Sequence, residues 1–92
     1  MNNFANQIKG CPMEVLVETY KLCKSYRDTT LSRIAKQKHI LSRCEEIFNL
    51  NPTYENKERC NKWEDKLDRT VRELSETLDN MRDIKYEMIS RI

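Results

Sequence analysis

One glycine and two prolines in 92 residues leave the chain almost no turn material. An all-β fold, which needs a turn every few residues and many β-branched side chains, is excluded by that scarcity. Aromatics are few, at 8% of residues. Long apolar runs are absent as well. The longest aliphatic stretch is Val15-Leu16-Val17, far below the roughly 20 residues a membrane-spanning helix needs. The first residues show no basic stretch followed by an apolar one, so no secretory signal is read. An intracellular, cytoplasmic protein with reduced thiols is therefore expected. The single glycine also leaves no room for a phosphate-cradling loop, a nucleophile elbow or a strained active-site turn.

What is abundant is charge. Asp, Glu, Lys and Arg make up 35% of the chain, with a net charge of +2. That exceeds the usual share of about 25% and is the composition of long helices. A chain of this length forms one small domain with a modest core, or shares its core with a partner.

Two breaks organise the sequence. Gly10-Cys11-Pro12 ends an N-terminal segment, residues 1–11, in which Phe4 and Ile8 stand one helical turn apart. That segment reads as either a short helical turn or a frayed end. Pro12 suits a helix start, with Glu14 near the positive end of the helix dipole. The second break is Asn51-Pro52. The residue before a proline is pushed out of helical geometry, so Asn51 is expected as the cap of the next helix and Pro52 as its first residue. No Gly or Pro interrupts residues 13–49 or 53–92. The prediction is an all-α chain: helix 12–49, turn 50–51, helix 52–91, folded as an antiparallel two-helix coiled-coil-like hairpin.

Seven-residue rows support that fold. In the second helix Cys60, Leu67, Leu74, Met81 and Met88 recur every seven residues, and the row four residues further along is Glu64, Val71, Leu78, Lys85 and Ile92. In the first, Tyr20, Arg27, Ile34, Leu41 and Phe48 form one row, and Leu16, Cys23, Thr30, Gln37 and Cys44 the other. Both pairs of rows read as heptad seams. Antiparallel pairing about the turn sets Leu41 against Cys60, Ile34 against Leu67, Thr30 against Val71, Cys23 against Leu78 and Tyr20 against Met81. Arg27 and Gln37 are polar residues on the seam, of the kind that fixes register in helical bundles. On the outer face, Glu55–Arg59, Glu58–Lys62, Asp65–Arg69 and Asp68–Arg72 are acid-before-base pairs four residues apart, each contributing about 0.2–0.5 kcal/mol in an isolated helix.

Candidate chemistry is sparse. Cys11, Cys23, Cys44 and Cys60 are separated by 12, 21 and 16 residues, so the local C-x-x-C geometry of redox pairs and zinc sites is missing. Cys23, Cys44 and Cys60 fall on the seam, where a thiol packs as a small hydrophobe; a Cys44–Cys60 bridge is the alternative. His39, the one histidine, is expected on the solvent face, without the positioned partner that general acid–base work requires. No catalytic residue, metal site or cofactor is expected.

Two surfaces remain. Tyr26, Leu31, Ile40, Ile47, Ile84 and Ile89 exceed what a two-helix seam can cover, and are the expected contact residues for a second copy or another protein. Residues 19–44 carry Lys21, Lys24, Arg27, Arg33, Lys36, Lys38 and Arg43 against Asp28 alone, a net +6. Lys21, Lys24, Arg33, Lys36, Lys38 and Arg43 make a basic stripe able to neutralise nucleic-acid phosphates. It is read in the first place as a solvated helix face balanced by acidic neighbours. The expected function is thus a non-enzymatic adaptor or regulatory module acting by helix–helix association, with a nucleic-acid-binding regulator as the alternative.

Overall fold

The computed structural model describes residues 4–92; Met1, Asn2 and Asn3 of the expected 1–11 segment lie outside the described residues. Three helices follow in order: α1 (Phe4–Ile8), α2 (Met13–Leu50) and α3 (Tyr54–Ser90). The long helices α2 and α3 pack against each other as a helical hairpin. Among the described residues there is no strand.

The helix ends lie within two residues of the expected ones, and their chemistry is specific. Pro12 stands just before α2, and its carbonyl accepts from the N–H groups of Val15 (3.1 Å) and Leu16 (3.2 Å). A residue without an N–H is well suited to this entry, where no helical acceptor precedes it. The turn corrects the expected cap. Thr53, not Asn51, opens α3: the Asn56 N–H donates to Thr53 Oγ1 at 3.2 Å. Asn51 instead ends α2, its N–H donating to the Ile47 carbonyl at 2.9 Å. The Asn51 carbonyl then accepts from Thr53 N–H (2.8 Å) and from the Asn56 side-chain amide (2.8 Å). Pro52 occupies the middle of this turn rather than the first turn of the helix. A threonine cap satisfies a helix-end donor that would otherwise go unpaired, an effect of about 1 kcal/mol.

The described part of Met1–Thr29 with Leu74–Ile92 forms one compact unit, and Thr30–Glu73 forms a second. In the second unit Thr30, Ile34, Cys44, Cys60 and Thr70 are buried, with Leu41, Phe48, Trp63 and Leu67 half-buried beside them. In the first unit Ile8, Leu16 and Ile84 form the core, and Phe4, Cys11, Tyr20, Cys23 and Met88 pack around it. Leu16 and Ile84 are 1% and 0% exposed.

Burial along α2 follows both expected rows. Along α3 it follows one of them. Cys60 and Met81 are buried, and Leu67, Leu74 and Met88 half-buried, as expected. The second buried row, however, lies three residues further along, not four: Trp63, Thr70, Thr77 and Ile84. Glu64, Val71, Leu78, Lys85 and Ile92 are exposed, so the expected pairs Thr30–Val71 and Cys23–Leu78 are replaced. A helix turn holds 3.6 residues, so strides of three and four flank the same row on opposite sides. The small β-branched Thr70 and Thr77 occupy buried seam positions, and the Thr70 hydroxyl is satisfied within its own helix by the Lys66 carbonyl at 3.0 Å.

Candidate interaction surface

With the seam on the Thr70–Thr77 side of α3, the apolar residues at its flank are left in water. In the unit Thr30–Glu73, Leu31, Ile47 and Val71 are each exposed by between two-fifths and one-half. Leu50 and Tyr54 project from the turn almost fully exposed. In the other unit Val17, Tyr26, Leu78, Tyr86 and Ile89 are exposed. Tyr86 and Ile89, with Arg82 and Lys85, border a shallow depression of about 370 Å³.

Of the residues expected to contact a partner, Tyr26, Leu31, Ile47 and Ile89 are available, and Ile40 is half-buried. Ile84 is the correction. It lies on the row three residues beyond Met81, so it faces Leu16 and is sealed in the core. Val71 and Leu78 take its place as exposed apolar residues. The stride of three, not the apolar count, was the signal for this.

The basic stripe is partly neutralised within the chain. Arg33 Nη2 reaches Glu73 Oε2 at 2.9 Å across the hairpin. Lys21 pairs with Glu18 at 3.5 Å and Arg43 with Glu46 at 3.9 Å, both on α2 itself. Lys24, Lys36 and Lys38 are exposed. Arg27 is half-buried on the seam and turns its guanidinium to Asp28, with Nε and Nη2 both 3.1 Å from Oδ1. The cations therefore point to several sides of α2, with no single basic face.

Other charges behave as solvated side chains. None of the four acid-before-base pairs expected on α3 closes to within 4.0 Å, as is common where side-chain entropy outweighs a screened attraction. Glu58 accepts instead from the Tyr54 hydroxyl at 2.9 Å. Lys57 lies 5.4 Å from the Phe48 ring centre and Lys66 lies 4.4 Å from that of Trp63, where a cation is attracted by the ring face. Their stems also cover apolar surface beside the seam.

All four cysteines are free thiols, with Cys44 and Cys60 buried and Cys11 and Cys23 half-buried. The Cys44–Cys60 bridge is thus not formed, and both residues pack as small core side chains. Burial pushes the Cys23 thiol pKa up. His39 is exposed. Among the described residues no group of three or more His, Cys, Asp or Glu could hold a metal ion, and no helix is long and apolar enough to cross a membrane. No family model, curated protein or solved structure matches the chain.

Proposed function

We propose that the chain is a non-enzymatic helical interaction module, an adaptor or regulatory protein that works by coiled-coil-like helix–helix association with a second copy of itself or with another protein. One observation carries the reading. After α2 and α3 have covered each other, large apolar side chains still stand half in water at the flanks of the seam, Leu31, Ile47 and Val71 in one unit and Tyr26, Leu78 and Ile89 in the other. An exposed Leu or Val is ordinary on its own. At seam-flanking positions of a hairpin, such residues are the ones a third or fourth helix covers in a larger bundle.

The second copy is the first partner to test. Residues 19–44 carry net +6 and residues 51–92 net −1, so a copy's nearly neutral α3 can lie against α2 with little net repulsion. The mass of the purified chain, measured by light scattering over a wide concentration range, should rise from monomer to dimer, and Leu31→Glu with Val71→Glu should abolish the rise. High salt should preserve it, because apolar burial is not screened. A monomer at every concentration would refute self-association. Tight binding to a nucleic-acid duplex that collapses between low and moderate salt would transfer the assignment to the basic side chains of α2.

A further inference from the structure

A five-residue helix has no stability of its own, because forming its first turn fixes several residues for one hydrogen bond. α1 (Phe4–Ile8) is such a helix, so its order comes from its seat. Ile8 is buried against Leu16 of α2 and Ile84 of α3, with Phe4 packed beside them. The last turn of α1 is held from the far end of the chain. Arg91 Nη2 donates to the carbonyls of Ile8 (3.2 Å) and Lys9 (3.0 Å). Glu87 Oε1 accepts from Arg91 Nε at 3.1 Å and lies 3.1 Å from Nη2, which fixes the guanidinium plane. Positive charge at the carbonyl end of a helix is favourable in itself. On the other side of this latch, Gly10 has open space around its Cβ position and Pro12 stands just before α2. An open surface cleft of about 290 Å³ lies beside the seat, lined by residues that include Ala5, Ile8, Asp83 and Tyr86.

We propose that α1 is a hinged strap, latched by Arg91 and Glu87, whose opening at Lys9-Gly10-Cys11 uncovers the Leu16–Ile84 core and so makes that end of the hairpin a switchable apolar surface. Its use as a regulator rests on the association reading above; the strap itself does not. Opening is a local event that leaves α2 and α3 formed, the behaviour of a low-stability segment on a stable base. The latch is one charged side chain on two backbone acceptors, and anything that competes for Arg91, a carboxylate-bearing segment above all, releases it.

The native cysteines report the opening. Cys11 and Cys23 pack on the core that the strap covers, whereas Cys44 and Cys60 are buried in the other unit. The full-length chain is labelled with a thiol reagent under native conditions, and each cysteine is followed by mass spectrometry. The labelling rate in excess of that set by the partial exposure of Cys11 and Cys23 in the closed state tracks the open population. Arg91→Gln should speed Cys23 labelling about tenfold, the loss of charge-assisted hydrogen bonds, with Cys44 and Cys60 unchanged. Gly10→Ala, which meets nothing and restricts the hinge, should slow it about twofold or more. Equal acceleration of all four cysteines by Arg91→Gln, or no change at Cys23, would overturn the strap. A monomeric mass at every concentration would refute self-association and leave this result untouched.

Discussion

The position of the α3 seam can be tested by a pair of truncations six residues apart. Ile84 is 0% exposed and contacts Ile8 and Leu16, whereas Leu78 is 45% exposed. Ile84→Ala removes buried atoms and leaves a cavity that α1, α2 and α3 cannot all collapse into. Such substitutions cost about 2–5 kcal/mol, and full burial places this one at about 3–4. Leu78→Ala removes atoms already half in water and leaves no cavity, because solvent replaces them. Complete burial of a leucine is worth about 1.5–3 kcal/mol, so the expected loss is about 1 kcal/mol or less. At about 0.05–0.15 kcal/mol per residue, a folded chain of 92 residues has a total stability of about 5–14 kcal/mol, so both variants should fold at room temperature.

Urea unfolding followed by far-ultraviolet circular dichroism measures both, at one fixed protein concentration so that any association contributes equally. The midpoint should fall several times further for Ile84→Ala, with the slope unchanged. Comparable losses for the two variants, or a larger one for Leu78→Ala, would place the seam on the Val71–Leu78 side and refute the burial pattern on which the exposed flank rests.

Two further outcomes follow from the same geometry. The Arg33–Glu73 ion pair joins side chains that are each nearly half exposed, so a double-mutant cycle should give a coupling below about 1 kcal/mol that fades in high salt; a larger, salt-insensitive value would contradict its solvent exposure. Burial raises the Cys23 pKa, so the unfolded chain ionises this thiol first as pH rises. The stability that Cys23 contributes is complete below the unfolded thiol's pKa and is lost as pH rises through the folded one. The wild type should therefore lose more stability than Cys23→Ala between about pH 7 and about pH 9.5, and equal losses would show that this thiol is not desolvated.

Much of the fold was legible because two different signals agreed. The Asn51-Pro52 break and the absence of Gly or Pro on either side defined two long helices, and the α2 rows were legible because both carry large apolar residues, such as Leu16, Ile34 and Leu41. On α3 the two signals conflicted. The stride of four collects Val71, Leu78 and Ile92, and the stride of three collects Trp63, Thr70, Thr77 and Ile84. Counting apolar residues favours the wrong row, because a threonine that bonds its own backbone is sterically a valine. The cue available in the sequence was Trp63 with Ile84, the largest side chains on that stride. The cap failed for a similar reason: Asn51 and Thr53 are both cap formers, and only the path of the chain through Pro52 decides between them. On the candidate surface, the register of α2 placed Tyr26, Leu31 and Ile47 in solvent but did not single out the exposed Val17, Leu22 and Leu50, and Ile84 was misplaced by the same stride that misplaced Val71 and Leu78.

Gln37 shows why such a seam still has one register. It lies on a seam row of α2, and its Oε1 is buried without a hydrogen-bond partner, although Lys66, Arg69, Thr70 and Glu73 border an open cleft of about 230 Å³ beside it. A desolvated acceptor left unpaired costs about 1–3 kcal/mol. Leucine in its place removes that penalty and adds apolar contact, so Gln37→Leu should raise stability by about 1–2 kcal/mol. Polar residues on a seam penalise shifted pairings more than the native one, so at a concentration where the wild type is wholly dimeric the same variant should form a mixture of masses in sedimentation. If Gln37→Leu is destabilising, the amide makes a hydrogen bond that holds the seam. If it is more stable and still sediments as one species, the register is set elsewhere, by the Thr53 cap and the Arg33–Glu73 pair.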